Sequence, residues 1–216
     1  MSLQRNSFSI VERRGGIAIV TLNRPEVHNA LHPAAHHELN DVFDSLAADE
    51  SLRAVIITGA GKSFCAGYDL LHNLETGIIE LGRAGFGGLT SRSRFPVPLI
   101  AAVNGAAFGG GFEIALACDL IIASDKALFA LPEPKVGWSA LSGGVQRLPR
   151  AIGTKRAMSI ILTGRAVDAA EGERLGFVNQ VCAPESLMDE ALRWAGMIEA
   201  AAPLATRCNL DVAYGS

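Results

Sequence analysis

Two carboxylates in this 216-residue chain sit where chemistry is a better explanation than solvation. Glu113 follows a glycine triplet, Gly109-Gly110-Gly111. It lies between two apolar runs, Leu99-Ile100-Ala101-Ala102-Val103 and Ile114-Ala115-Leu116-Ala117-Cys118. Such a triplet bares backbone N–H groups and lets another molecule approach closely. If a helix starts there, its first N–H groups are unpaired and carry the positive end of the helix dipole, a setting for developing negative charge. Glu113 then falls in the first turn, beside whatever is bound. Glu133 stands between Pro132 and Pro134. Pro132 fixes its own φ and Pro134 disfavours α geometry at Glu133, so this carboxylate is expected on a stiff mount. A third piece is the loop Phe64-Cys65-Ala66-Gly67-Tyr68-Asp69. Read one at a time, each has a plainer alternative: a dipole-stabilising acid at Glu113, a surface turn acid at Glu133, a tight packing turn at the triplet.

Other patterns fail on inspection. Gly59-Ala60-Gly61-Lys62-Ser63 suggests a phosphate loop, but the required leading glycine position is Ile56. No G-x-G-x-x-G follows a strand, and no G-x-S-x-G elbow exists. His28, His32 and His36 are spaced by four, but Pro33 interrupts them and no H-E-x-x-H partner is present. Exposed or capping roles are expected for them, and no metal. Cys65 has apolar neighbours and no nearby histidine, which fits a buried structural thiol.

The elements that must position the three pieces follow from periodicity and punctuation. Strands are expected at 8–12 and 17–22, 54–58, 99–103, 120–123, 128–131 and 177–182. Helices are expected from Pro33 to about 48, with Leu39, Val42, Phe43 and Leu46 as the buried stripe, then at 68–74, after the glycine triplet, at 154–162 capped by Thr154, at 168–176 and at 185–201. Asp168 with Glu171 reads as a capping-box start, and Gly176 as its stop. The span 59–67 reads as loop, and 76–94 as helix with a flexible glycine-rich break. Strands that lead through glycine loops into helices make an α/β pattern.

The length suits one domain. With 49% hydrophobic and only 19% charged residues, a large core is possible and some surface is expected to be buried in an oligomer. A net charge of -3 and no basic run longer than a pair weigh against nucleic acid as a partner. The longest apolar region, 97–123, is broken by Asn104, Glu113, Asp119 and four glycines, so no membrane span is expected. Scattered cysteines and a start without an apolar run suggest a reducing, cytoplasmic setting.

Taken together, the motifs are recognisable. Phe64-Cys65-Ala66-Gly67-Tyr68-Asp69-Leu70, Ala101-Ala102-Val103-Asn104-Gly105, Gly109-Gly110-Gly111-Phe112-Glu113, Cys118-Asp119, Phe129-Ala130-Leu131-Pro132-Glu133, Gly143-Gly144-Val145-Gln146-Arg147-Leu148 and Leu162-Thr163-Gly164-Arg165 occur in one order. From about residue 8 to 201 the chain resembles the enoyl-CoA hydratase/isomerase (crotonase) family. With Gly85-Phe86-Gly87-Gly88-Leu89-Thr90, it resembles in particular the carnitinyl-CoA (crotonobetainyl-CoA) dehydratase branch.

The resemblance implies a spiral of ββα units closed by C-terminal helices, built into a trimer or a dimer of trimers. Residues 1–200 would form the catalytic domain and 201–216 the start of a helical segment whose last helices are missing. It implies reversible addition of water across the 2,3 double bond of an enoyl-CoA, within fatty-acid metabolism. The backbone N–H groups of Tyr68 and Gly110 match the oxyanion hole for the thioester oxygen. Glu113 and Glu133 match the pair of catalytic glutamates; having both favours hydration over isomerisation. Substrate contacts are implied at Ala30, Ala66, Gly67, Asp69, Leu70, Gly109, Pro132, Trp138 and Leu141. Trp138-Ser139-Ala140-Leu141-Ser142 replaces a run that is rich in proline and glycine in many hydratases, so the wall is expected to be bulkier. Arg24 and Lys62 are candidates for the CoA phosphates. No cofactor is implied beyond the CoA that the substrate carries. Dehydratase, isomerase and hydrolase activities are the enzymatic rivals, and a non-catalytic acyl-CoA-binding protein is the rival of another kind.

Overall fold

The computed structural model describes residues 2–215. In chain order its main elements are β1 (Ser2–Arg5), β2 (Ser9–Arg14), β3 (Ile17–Leu22), α1 (Pro33–Ala47), β4 (Ala54–Gly59), β5 (Ser63–Cys65), α2 (Leu70–Thr76), β6 (Leu99–Val103), β7 (Ala106–Phe108), α3 (Gly110–Ala117), β8 (Leu120–Ser124), β9 (Leu128–Ala130), α4 (Gly144–Ile152), α5 (Thr154–Ile161), β10 (Val167–Asp168), α6 (Ala169–Leu175), β11 (Gln180–Cys182), α7 (Leu187–Glu199) and α8 (Pro203–Tyr214). They form two sheets, one ordered β1-β2-β3-β4-β6-β8-β11 and one ordered β10-β9-β7-β5.

The central strands of the larger sheet are parallel and read as unbroken apolar runs because both faces are covered. Alternation assigns the faces. Val20, Leu22, Val55, Ile57, Ala101 and Val103 pack toward α1 and α3, whose buried residues share their cluster. Ile17, Ile19, Ile56, Ile100, Ala102 and Ile122 pack against Leu187, Ala191 and Ala195 of α7. The stripe Leu39, Val42, Phe43 and Leu46 is buried on α1 as its spacing predicts.

The smaller sheet positions the motifs. β5, β7 and β9 are adjacent and parallel, with Cys65 beside Ala107 and Phe108 beside Ala130. The three loops of interest leave the C-terminal ends of these strands on one edge. A crevice outside the carboxyl ends of parallel strands is where such sheets place ligands.

Several expectations need correction. The loop at 59–67 contains β5, and the triplet is preceded by β7; three residues are too few to show a period. The span 76–94 holds no α-helix beyond Thr76, only a 3-10 turn at Phe86–Gly88, and 84–90 is buried rather than loose. Asp69 caps α2, so that helix starts at Leu70. Gly153, not Thr154, is the N-cap of α5. Glu133 opens a 3-10 turn, Glu133–Val136, despite Pro134, because Pro sits without penalty in a first turn. Asp168 Oδ1 accepts the Glu171 N–H at 2.7 Å, but Glu171 pairs with Arg165 instead of completing a capping box. The strand expected at 177–182 is only Gln180–Cys182, and the helix expected at 185–201 is Leu187–Glu199 after a 3-10 turn.

Candidate active site

The two N–H donors emerge from the backbone pattern itself. The Leu31 N–H donates to the Gly67 carbonyl at 2.8 Å, and the Asp69 N–H to the Leu31 carbonyl at 2.9 Å. In this parallel bridge the Tyr68 N–H lies between the bonded groups and turns the other way. Across the small sheet the Gly109 N–H donates to the Ala130 carbonyl, and the Glu113 N–H donates to the Gly109 carbonyl as the first bond of α3. Gly109, at φ +53, then turns the chain into α3, with Gly110 as its first residue. The Gly110 N–H is thus one of the unpaired first-turn donors. The triplet is required sterically. A Cβ on Gly111 would meet the Cys65 carbonyl oxygen at 2.0 Å, and one on Gly110 the Phe86 ring at 2.4 Å.

These donors border a cavity of about 260 Å³ whose lining includes Tyr68, Gly110, Glu113, Glu133, Phe86 and Trp138. Ala66, Gly67, Leu70, Gly109, Pro132 and Leu141 also line it, as the resemblance implies. Ala30 and Asp69 do not. Asp69 caps α2 and pairs with Arg24 at 2.9 Å. Arg24 also donates to the Ala30 carbonyl, so it is already engaged, whereas Lys62 is exposed. Ser139 and Ser142 belong to the wall segment expected from the sequence, whereas sequence reasoning missed Ile79, Leu81, Phe86 and Val136 in the lining. It also gave no role to Gly144, whose N–H holds a catalytic candidate; only the glycine pair at 143–144 hinted at close packing.

Glu113 is 3% exposed, and its Oε1 accepts the Gly144 N–H at 2.9 Å. Burial, reinforced by the nearby Glu133 charge, pushes its carboxyl up to about 7, against the opposing pull of the Gly144 bond. Burial also raises Glu133, which is 9% exposed. Its Oε2 is buried without a partner among the described residues. Two neighbouring carboxyls with raised pKa values suit proton transfer near neutral pH, one ionised while the other holds a proton.

The thiols and histidines behave differently. Burial pushes Cys65 up to about 12, so it stays a structural thiol. His32 caps α1 by accepting the Ala35 N–H. His36, expected to be exposed or capping, is fully buried. Among the described residues no group of three His, Cys, Asp or Glu side chains is arranged to hold a metal ion. No helix among them is long and apolar enough to cross a membrane.

Residues 12–211 match the family model described as enoyl-CoA hydratase/isomerase. The chain belongs to the crotonase family. Crotonase relatives include a carnitinyl-CoA dehydratase of Proteus mirabilis, 45% identical over 202 residues that cover 92% of this chain and 77% of that one. A probable enoyl-CoA hydratase of Rhizobium meliloti is 43% identical over 184 residues, covering 85% and 72% of the two chains. Among solved crotonase structures, a carnitinyl-CoA dehydratase from Mycobacterium avium superposes with a TM-score of 0.92 at 39% identity, covering 97% of this chain and 83% of that one. The family and the α/β crotonase fold expected from the motifs therefore hold, and they support a lyase of hydratase type.

Proposed function

We propose that the cavity hydrates enoyl-CoA thioesters. A water oxygen bonds to the β-carbon while the π electrons move onto the thioester oxygen, which the Tyr68 and Gly110 N–H groups hold as an enolate. The enolate then takes a proton at the α-carbon. Glu113 and Glu133 divide the two proton transfers. One observation carries this reading: two buried carboxylates line the same cavity as two N–H donors that have no partner among the described residues. Fixed donors stabilise developing charge without reorganising, and losing one costs on the order of 3 kcal/mol in other enzymes. Coenzyme A arrives with the substrate, and no resident cofactor is proposed.

A specific observation favours a second reading, water removal from carnitinyl-CoA. Among the described residues neither Arg nor Lys lines the cavity; its charged groups are carboxylates, and the Tyr68 and Trp138 rings meet edge to face at 6.1 Å. A trimethylammonium tail suits such a lining. The names of the Proteus and Mycobacterium relatives point the same way. We further propose a homotrimer or dimer of trimers, supported by exposed apolar side chains such as Leu74 at 80% and Leu162 at 71%. A reducing, cytoplasmic setting is supported by four unpaired cysteines.

Loss of the conjugated enoyl absorbance tests the reading, with crotonyl-CoA and crotonobetainyl-CoA in parallel. Hydration by wild type and its loss in Glu113→Gln and Glu133→Gln are expected, and the preferred acyl group separates the two readings. A protein that binds acyl-CoA but turns over neither, with both variants binding like wild type, is a non-catalytic binder, and the assignment fails.

A further inference from the structure

Behind the two donors lies a buried imidazole that the reaction above does not use. His36 projects from α1, and its Nδ1 accepts the Gly87 N–H at 3.0 Å. Its ring stacks on Tyr68 at 5.8 Å and 26° and meets Phe86 edge-on at 4.5 Å and 71°. Because Nδ1 accepts, the neutral ring carries its proton on Nε2. Nε2 is buried and has no partner among the described residues. Burial, with the charges of His32 and His37 nearby, lowers the group to about 4, so it is neutral at physiological pH.

An unsatisfied buried donor costs stability, and an apolar side chain would avoid that cost. An imidazole does what no apolar side chain can: it accepts the Gly87 N–H while packing on both aromatic rings. Those rings flank the two donors. Phe86 fills the space above Gly110 where a Cβ would clash, and Tyr68 carries the other N–H. At its far end Tyr68 is held by its hydroxyl, which donates to the Ile78 carbonyl at 3.0 Å. We propose that His36 is a positioning residue for the oxyanion hole, holding Phe86 against Gly110 and Tyr68 in place so that both N–H groups converge on one oxygen. This rests on the hydratase reading of the cavity.

Two variants separate the parts: His36→Asn keeps an acceptor near Nδ1 and loses the ring, while His36→Phe keeps a ring and loses the acceptor. Two ligands report on the hole. Acetoacetyl-CoA forms an enolate with charge on the thioester oxygen, and butyryl-CoA does not. Both variants are expected to bind butyryl-CoA within about twofold of wild type and to lose about tenfold in affinity for acetoacetyl-CoA. On crotonyl-CoA, kcat should fall about tenfold with KM little changed, as small misplacements do. Retained butyryl-CoA binding certifies the fold of each variant. Equal losses for both ligands, or none, overturn the proposal. So does a wild type without preference for acetoacetyl-CoA. A wild type that shows the preference yet hydrates no enoyl-CoA breaks only the hydratase reading, and the ligand pair still decides on His36.

Discussion

Helix α3 has a shielded carboxylate at each end, Glu113 in its first turn and Asp119 two residues past its last, Ala117. Burial raises the pKa of both. Cavity size favours the wrong end: the space lined by Asp119 measures about 730 Å³, against about 260 Å³ beside Glu113. What separates the two is satisfaction. Asp119 Oδ1 accepts the Tyr214 hydroxyl at 2.6 Å and Oδ2 accepts the Leu99 N–H at 2.7 Å. At the other end Glu113 accepts from Gly144, but among the described residues the neighbouring Glu133 Oε2 has no partner, and the Tyr68 and Gly110 N–H groups have no acceptor. The helix dipole accounts for part of this. Its C-terminal end repels a carboxylate, so Asp119 must be compensated from elsewhere, while its N-terminal end leaves donors free for a ligand. Unpaired groups gathered on one cavity mark the functional end.

The largest effect expected from that contrast is on turnover. Glu113→Gln and Glu133→Gln should each lower kcat by about 10²–10⁴-fold, the range of general acid–base contributions, in steady-state hydration of crotonyl-CoA. The limb of the pH profile near 7 that Glu113 supplies should vanish in Glu113→Gln. Full activity in either variant breaks the distinction between the two ends.

A second effect, on stability, carries a definite sign. Folding raises Glu113 from 4.5 to about 7, so the fold favours its protonated form. The stability this contributes is complete below pH 4.5 and is lost as pH rises through about 7. Glu113→Gln stays neutral and keeps an acceptor for Gly144. It should exceed wild type in stability above about pH 7 by up to about 3 kcal/mol, at about 1.4 kcal/mol for each pH unit. Below pH 4.5 the two should coincide. Urea melts across this range measure the difference; a less stable variant at high pH would mean that Glu113 is held ionised by partners, as a structural acid is.

Much of the functional end is legible in the sequence because its constraints are local. The triplet at 109–111, the Pro132-Glu133-Pro134 run and the apolar flanks each announce a backbone that must do something particular. The sheet that gathers them is less legible, since β5 and β7 are too short for a period and pair only across the fold. The stretch around Gly85-Phe86-Gly87-Gly88 misled for a related reason. Its glycines read as looseness, but Gly88 is pressed against the backbone of Asn40, where a Cβ would come within 2.7 Å, so they mark close packing with α1. His36 and Gly144 act only through long-range contacts, and no residue near them in sequence points to those partners.

The smallest effect probes the other end of α3. Tyr214→Phe removes the hydroxyl that donates to Asp119 Oδ1 and leaves the Leu99 N–H in place. Hydrogen bonds to charged groups contribute about 1.5–3 kcal/mol. Here water can reach the freed oxygen through the larger cavity, so a loss nearer about 1 kcal/mol is expected. Asp119 should then titrate higher still, because the Tyr214 bond now favours its ionised form. Turnover of crotonyl-CoA should not change, since neither group reaches the smaller cavity. Thermal melts and kcat on the same preparation measure both quantities. A fall in kcat with the melt intact would bring Asp119 into the chemistry, and satisfaction by protein donors would no longer separate the structural carboxylate from the reactive pair.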